Sequence, residues 1–269
     1  MKRLNLKANP YRVFRQSATP PGLYARQKWL QEGATAGWRN DFSVTVAALY
    51  RGHGADGLWH GSALETIHRL FGLHLTVRAA DARIHHALDR LLAQAASPEG
   101  KGRAEWIDAD RLAGLPLAPG PRQPLVVSAA LFLATIFGRG ADEAVLDLYG
   151  GITSTGGRAA AERMDPPLFG NRLRALVVHP RYAVHEATEA MVDLLARRQT
   201  PRGDWGEAMP FFQTLNALAH LSLPSAEAQC QKAFALVAQT QQADGTWGQA
   251  EPEWCTFLTL HALRNKGAI

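Results

Sequence analysis

Apolar residues recur along most of the chain at the three- and four-residue spacing of amphipathic α-helices. In the segment 79–96, for example, Ile84, Leu88, Leu91 and Leu92 share one helical face. The segment 125–138 is almost wholly apolar and is predicted to be a buried helix. With Gly and Pro as breakers, the pattern predicts about twelve helices and no pair of strands, which is an all-α fold class.

The first predicted helix follows a Pro-Pro-Gly stop at 20–22, and the others are separated by shorter polar breaks. The predicted helices cover residues 23–32, 41–52, 62–75, 79–96, 125–138, 141–150, 158–164, 171–178, 182–199, 209–221, 225–242 and 253–265. Two connections are rich in Gly, 97–123 with several prolines and 150–158. The longer one is expected to be a lid, the edge of a site or a disordered insertion.

A turn of the form Gly-x-Trp occurs three times, each time between a helical segment and a more apolar helical segment. The three copies contain Gly57 and Trp59, Gly203 and Trp205, and Gly245 and Trp247. The amphipathic helix of each pair can lie outside and the apolar helix inside. Closing the pairs into a ring buries apolar faces that an open stack would expose at its ends. Residues 22–269 are therefore predicted to form a single-domain (α/α)6 toroid, with the tryptophans wedged between pairs.

The composition is that of an ordinary globular protein, with 46% hydrophobic and 20% charged residues. No apolar run approaches the roughly 20 residues of a membrane span. The basic N-terminus has no apolar segment behind it, and the two cysteines do not form a disulfide framework. A cytoplasmic location is the expectation, with association to a membrane surface left open.

Residues 1–21 are expected to be a basic N-terminal extension. The first 51 residues hold nine Lys or Arg against two acidic residues, whereas the whole chain has a net charge of +5. Such a basic region can contact an anionic membrane surface or a diphosphate, or it can be a solvated face. No nucleic-acid motif accompanies it, so no nucleic-acid partner is expected.

The turns resemble the Gln-x-x-x-Gly-x-Trp motif of the prenyltransferase and squalene oxidase repeat. This repeat is shared by squalene-hopene cyclases, class II terpene cyclases and the β-subunits of protein prenyltransferases. The matching residues are Gln199, Gly203 and Trp205, and Gln241, Gly245 and Trp247, with a looser match at Gly57 and Trp59, where no Gln precedes at the right spacing.

The resemblance implies an (α/α)6 toroid with an apolar central cavity, entered from the end where the inner helices begin. It also implies an isoprenoid-processing enzyme, a cyclase or a transferase, that acts on an isoprenoid or another lipid-like molecule. Two alternatives stay open: a non-catalytic carrier of an apolar ligand, and a protein-interaction scaffold that uses the basic N-terminal face.

The chemistry of the family matches less well than its architecture. The Asp-x-Asp-Asp segment of class II cyclases falls on Leu125, Val127 and Ser128, which carry no acid. Asp108 and Asp110 have Asp-x-Asp spacing and are candidate catalytic acids, although they lie in the Pro- and Gly-rich loop, where a capping or solvated turn is the alternative.

A catalytic metal also has partial support in the sequence. Cys255 falls at the approximate zinc-ligand position of the prenyltransferase β-subunits, but no Asp-x-Cys partner precedes it. Cys255 can equally be a small buried apolar residue. No metal-ligand set is predicted, and a requirement for Mg²⁺ or Zn²⁺ stays open.

The remaining candidates lie in the first turns of the predicted inner helices. Glu65 and Glu253 each follow a repeat tryptophan by six residues, and we expect them at similar heights on the toroid wall. If desolvated, they are candidates for a general acid or base; carboxylates that favour a helix N-terminus are the alternative. The candidate substrate-binding residues are Trp59, His60, Ser128, Phe132, Phe211, Gln213, Thr214, Cys255 and Phe257. Phe71, Phe132, Phe211 and Phe257 are expected either to line the cavity or to pack the core.

Overall fold

The computed structural model describes residues 3–97, 105–154 and 161–269, and twelve α-helices are bounded within them. The all-α class is confirmed. In chain order the helices are α1 (Pro20–Lys28), α2 (Ala36–Tyr50), α3 (Ala63–Thr76), α4 (Ala82–Ala96), α5 (Arg122–Ala134), α6 (Glu143–Ser154), α7 (Pro166–Val177), α8 (Pro180–Ala183), α9 (Glu186–Arg198), α10 (Phe211–Leu218), α11 (Pro224–Thr240) and α12 (Pro252–Asn265).

The prediction of no strand pair is wrong. Strands β1 (Trp106–Ile107) and β2 (Gly120–Pro121) pair antiparallel within the long connection before α5. Each strand has two residues, which is too short to produce a period-two pattern of apolar residues.

Several helix ends differ from the prediction for local reasons. Helix α1 begins at Pro20, where a stop was expected, because proline fits the first helical turn and Thr19 accepts a hydrogen bond from the Gly22 N–H at 3.1 Å. The helix predicted over 182–199 is divided into α8 and α9, and His185 caps α9 by accepting from the Ala187 N–H at 3.1 Å. Residues 158–160 of the helix predicted over 158–164 lie outside the described residues, as does the end of the 150–158 connection, and residues 161–162 are helical.

Six helices contact one another in succession. Helix α1 contacts α3, α3 contacts α5, α5 contacts α7, α7 contacts α10, α10 contacts α12, and α12 contacts α1 again. Other helices lie against this set: α2 contacts α1 and α3, α4 contacts α3 and α5, and α11 contacts α10. Helix α4 buries Ile84, Leu88 and Leu91 while its polar residues stay exposed, as its sequence predicts.

The three Gly-x-Trp turns share one backbone hydrogen-bond pattern. In the third turn the Gly245 N–H donates to the Gln242 carbonyl at 3.0 Å, and the Gln242 N–H donates to the Thr246 carbonyl at 3.0 Å. The same two bonds recur at 3.0 and 2.8 Å in the turns that contain Gly203 and Gly57. All three glycines have a left-handed φ, between +81° and +103°, which a side chain disfavours. The sequence repeat is therefore also a structural repeat.

Gln199 and Gln241 perform the same task in their turns. Gln241 donates to the Gly245 carbonyl at 2.9 Å, and Gln199 donates to the Gly203 carbonyl at 3.0 Å. In the first turn the corresponding position, four residues before Gly57, is occupied by His53, whose ring contacts the Trp59 ring edge-on at 4.7 Å. The looser match of this turn to the motif thus comes from a histidine in place of the glutamine.

The N-terminal residues pack against the last part of the chain. Gln241 accepts from the Lys7 N–H at 2.7 Å and from the Ala8 N–H at 3.1 Å, and it donates to the Ala8 carbonyl at 3.0 Å. The Leu4 N–H donates to the Ala268 carbonyl at 2.8 Å. Among the described residues, no helix is both long enough and apolar enough to cross a membrane.

The described part of the long connection, 105–121, packs against α3, α7 and the residue that precedes α12. Leu112, Leu115 and Leu117 are buried in the core. The Gly114 N–H donates to the Glu251 carboxylate at 2.8 Å, and the Asn171 side chain pairs with both the N–H and the carbonyl of Ala118. Of the three possibilities left open for this loop, the edge of a cavity fits these contacts.

Candidate functional site

A large cavity of about 760 Å³ lies where α1, α3 and α12 begin. Its lining includes Pro20 from α1, Glu65 from α3, Gly114 from the long connection, and Glu253 and Trp254 from α12. Helices α1 and α12 begin at Pro20 and Pro252, and Ser62 caps the start of α3. These residues fix where the three helices begin beside the cavity. We call this space the large cavity.

The structure brings the two predicted catalytic carboxylates, Glu65 and Glu253, into this one cavity. Each is already engaged by neighbouring groups. Glu65 forms an ion pair with Arg69 at 2.7 Å, and Glu253 accepts from the Ser17 hydroxyl at 2.8 Å and from the Thr19 hydroxyl. The desolvation that would suit them to acid–base work is absent for Glu65, whose side chain is about a third exposed.

Equal sequence offsets did not place the two carboxylates equivalently. Glu65 is the third residue of α3, whereas Glu253 is the second residue of α12. The polar gap between Trp247 and α12 is one residue longer than the gap between Trp59 and α3, which explains the difference. The expectation of matched heights on the wall is therefore wrong in detail.

A second cavity, of about 370 Å³, is lined by side chains from all six helices of the contact succession. We call it the aromatic cavity. It is lined from α1 by Tyr24, from α3 by Phe71, from α5 by Phe132, from α7 by Val177, from α10 by Asn216 and from α12 by Phe257. Of the predicted substrate-binding residues, Phe132 and Phe257 lie here.

Stacked and edge-on rings form one side of the aromatic cavity. Phe257 stacks between Trp254 at 5.5 Å and Trp29 at 5.3 Å, measured between ring centroids, and Phe71 meets Trp254 edge-on at 5.7 Å. Such pairs add specific geometry to the apolar area that they bury. Phe71, Leu75 and Trp254 line both cavities, so the two spaces are neighbours across these three side chains.

The aromatic cavity also contains basic side chains, none of which the sequence analysis selected. Burial lowers the pKa of His74 to about 4, of His220 to about 3 and of His261 to about 4, and the nearby arginine charges act in the same direction. The three imidazoles are therefore neutral at pH 7. The His220 side chain lines the cavity and is exposed.

Arg174 is the most buried cation at this site. It is 3% exposed, and burial lowers its pKa to about 10, so it stays protonated at pH 7. Its Nη2 donates to the Gln213 carbonyl at 3.0 Å, and its Nε has no acceptor. A sequence signal existed for these residues: His74, Arg174 and His261 each interrupt an otherwise apolar helical segment.

Five of the other predicted substrate-binding residues lie in neither of these two cavities. Trp59 is fully buried, and its backbone N–H donates to the Thr66 hydroxyl at 2.9 Å while its indole N–H has no acceptor. Ser128 is buried, and its hydroxyl donates to the Pro124 carbonyl at 2.9 Å. His60 is exposed with a φ of +51°, Phe211 packs against Trp205, and Cys255 lies against Gly248.

Gln213 and Thr214 line a small separate pocket. Arg174 lines both this pocket and the aromatic cavity. The Gln213 carbonyl accepts a hydrogen bond from Arg174 and is linked to the aromatic cavity only through that side chain. Neither Gln213 nor Thr214, which are predicted to bind substrate, lines either of the two larger cavities.

Asp108 and Asp110 lie away from both larger cavities. Both are exposed, and Asp108 accepts from the Arg111 N–H at 3.1 Å beside the short 3₁₀ turn Asp110–Leu112, whose N-cap residue is Ala109. This placement matches the solvated-turn alternative given for the pair.

Cys255 does not have the environment of a zinc ligand. Burial, together with the Glu251 charge, raises the pKa of the Cys255 thiol to about 12. Within residues 3–97, 105–154 and 161–269, no three His, Cys, Asp or Glu side chains are grouped to hold a metal ion.

The positive charge of the N-terminal region is partly neutralised internally. Arg26 is buried and pairs with Asp41 at 2.7 Å and with Glu32 at 2.9 Å, and these are both of the acidic residues in 1–51. Arg12 and Arg15 stay exposed. Contact of this surface with an anionic membrane therefore stays a prediction.

Comparison with known proteins leaves the family of the chain open. No protein-family model matches the sequence, and a comparison with curated proteins finds no match. The function of the chain is therefore inferred from the two cavities and the side chains that line them.

Proposed function

We propose that this protein is an isoprenoid-processing enzyme of the terpenoid cyclase and prenyltransferase type, with the chain of its substrate in the aromatic cavity. The observation that carries the proposal is that one cavity collects side chains from all six helices of the contact succession. A space of about 370 Å³ falls within the roughly 300–1,000 Å³ of small-molecule sites.

An (α/α)6 toroid is the arrangement that we propose for these helices. Its support is the succession of contacts that returns from α12 to α1, together with the other helices, which alternate with the six along the chain. The shared hydrogen bonds of the Gly-x-Trp turns add to this support. In the proposed arrangement, the N-terminal residues held by Gln241 take the place of a sixth outer helix.

The walls of the aromatic cavity favour an unsaturated apolar chain. Faces of Phe71, Phe132, Trp254 and Phe257 offer apolar area and π-systems that attract developing positive charge. A short prenyl chain fits the aromatic cavity alone. A longer chain would extend past Phe71, Leu75 and Trp254 into the large cavity, which these residues also line.

Two groups of side chains are proposed to carry the chemistry. Neutral His74, His220 or His261 can accept a proton from a prenyl cation: the C–H bond breaks, its electron pair forms a C=C bond, and the proton goes to a ring nitrogen. Glu65 and Glu253 are the acid–base candidates of the large cavity. Protonation of an alkene at the Asp-x-Asp-Asp position is disfavoured, because that position is apolar apart from Ser128.

A non-catalytic carrier of an apolar ligand is the second candidate function. The engagement of the carboxylates favours it, since Glu65 is paired with Arg69, and Glu253 is held by Ser17 and Thr19. A carrier would use these contacts to fix the ends of α1, α3 and α12 around the ligand.

One experiment separates the two candidates. The purified protein is incubated with geranyl, farnesyl and geranylgeranyl diphosphate and with squalene, with and without Mg²⁺ or Zn²⁺, and products are extracted for mass spectrometry. We expect a hydrocarbon, alcohol or transfer product that is reduced at least about tenfold in Glu253→Gln or His261→Gln and unchanged in the exposed control Asp108→Asn. A lipid retained in native mass spectra without turnover would favour the carrier, and neither turnover nor a retained ligand would contradict the proposal.

A further inference from the structure

We propose that the ligand of the aromatic cavity is a carboxylic acid with an apolar chain, bound with its carboxylate against Arg174. The inference rests on the proposed function, because the chain of the acid occupies the same apolar walls. It adds the charge of the head group and the direction in which the ligand lies.

The state of Arg174 is the first argument. Its guanidinium is 3% exposed, its Nε–H has no acceptor, and its single described hydrogen bond is to the carbonyl of Gln213. It forms no ion pair with any carboxylate in the described part of the chain. A buried cation without a counter-ion is costly, and a carboxylate in the cavity that Arg174 lines would offset this cost.

The groups around Arg174 suit one negative charge. His220 and His261 lie 5.3 Å apart between ring centroids, and Asn216, on the same cavity wall, donates to the Leu258 carbonyl at 3.1 Å. The buried Nδ1 of His74 has no partner. Because these imidazoles are neutral at pH 7, they can donate hydrogen bonds to a carboxylate without adding charge.

The positive charge available in the aromatic cavity favours a carboxylate head group over a phosphate. Arg174 provides one buried positive charge, and Arg78, the other arginine of the cavity, is exposed with its guanidinium 4.9 Å from the Tyr24 ring centroid. A phosphate carries about −1.5 to −2 at pH 7, and a diphosphate carries more. Neutral histidines leave that excess uncompensated, whereas a carboxylate matches Arg174 one to one.

The carboxylates of the protein set the direction of the ligand. Glu65, Glu251 and Glu253 all line the large cavity, on the other side of Phe71 and Trp254 from Arg174. They would repel an anionic head group. The acid therefore lies with its head among Arg174 and the histidines and with its chain directed toward Phe71 and Trp254.

The test compares two ligands that differ only in the head group. Binding of farnesoic acid and of farnesol is measured by isothermal titration calorimetry for the wild-type protein, Arg174→Met, Arg174→Lys and the control Arg202→Met, which changes an exposed turn residue that lines neither cavity. We expect the wild type to bind the acid at least about tenfold more tightly than the alcohol. Arg174→Met should abolish that preference, Arg174→Lys should keep part of it, and Arg202→Met should keep all of it.

Each other outcome is decisive. Equal affinity of the wild type for acid and alcohol, or an unchanged preference in Arg174→Met, would overturn the carboxylate inference while the proposed apolar site stands. Tighter binding of farnesyl diphosphate than of farnesoic acid would overturn it in favour of a phosphate head group. If the wild type binds neither farnesoic acid nor farnesol, the proposed function itself fails. If Arg174→Met also loses farnesol, the lysine variant and the wild-type preference decide.

Discussion

The hydroxyl of Thr256 accepts a hydrogen bond from the backbone N–H of Trp247 at 3.0 Å, and Thr66 accepts from the N–H of Trp59 at 2.9 Å in the same way. Both threonines are fully buried in the first turns of apolar helices. Each bond fastens a Gly-x-Trp turn to the helix that follows it. The equivalent residues of α3 and α12 are therefore Thr66 and Thr256, which makes Cys255, not Glu253, the counterpart of Glu65.

Replacing Thr256 by valine should destabilise the protein by about 1–3 kcal/mol, because the Trp247 N–H is then buried without an acceptor. The control is Thr259→Val, since the Thr259 hydroxyl only donates to the Cys255 carbonyl within its own helix. The control should cost less than about 1 kcal/mol. Urea unfolding followed by circular dichroism measures both. Equal losses in the two variants would show that the turn bond is not important for stability.

Alanine at Gly203 should be far more harmful than alanine at Gly206. Both glycines have a left-handed φ, +103° and +77°, but a Cβ at Gly203 would lie 2.5 Å from the Lys232 carbonyl oxygen, whereas none of its neighbours would lie within 4 Å at Gly206. We expect about 1–2 kcal/mol for Gly206→Ala from the backbone conformation alone, and a larger loss for Gly203→Ala. Thermal unfolding of both variants tests the order, which equal melting temperatures would contradict.

Gln241→Ala should release the N-terminal residues from the rest of the fold. The variant loses the acceptor of the Lys7 and Ala8 N–H groups and the donor to the Ala8 and Gly245 carbonyls. Hydrogen exchange at Lys7 and Ala8 should accelerate at least about tenfold, since the amides then open locally. The exposed Gln239→Ala is the control and should leave exchange unchanged. Unchanged protection in Gln241→Ala would mean that other contacts hold this segment.

The stability of the protein should fall as the pH drops from about 6.5 to 4. Burial lowers the pKa of His74 to about 4, below the unfolded value of 6.5, so the unfolded chain binds the extra proton in this window. Above pH 6.5 the residue is neutral in both states and contributes no pH dependence. His74→Gln should flatten the fall by about 1–3 kcal/mol between pH 7 and 4 in urea unfolding. A slope identical to that of the wild type would contradict the burial of this imidazole.

Much of the fold is predictable from the sequence, because helical periodicity and the repeated turn are both local patterns. The Gly-x-Trp pattern correctly located the turns around Gly57, Gly203 and Gly245, with one set of hydrogen bonds. The strand pair at 106–107 and 120–121 was not predicted. It is formed by contacts across a long loop, and the spacing of apolar residues along the sequence carries no information about such contacts.

The site was less accessible from the sequence than the fold. Phe132 and Phe257 were expected in a cavity and lie in one, but Arg174 and the three histidines were not selected. Helix phase decides whether such a residue faces a cavity or the core. The turn tryptophan precedes its bonded threonine by seven residues at Thr66 and by nine at Thr256, and this two-residue difference separates Glu253 from the position of Glu65. Single polar residues inside apolar helices were the usable signal.

A crystal structure of the protein soaked with farnesol shows whether the aromatic cavity holds the apolar chain of an isoprenoid ligand. We expect continuous density for the chain between Phe132 and Phe257, reaching toward Phe71 and Trp254. Density confined to the outer surface, or an aromatic cavity that holds only water at saturating farnesol, would contradict this expectation.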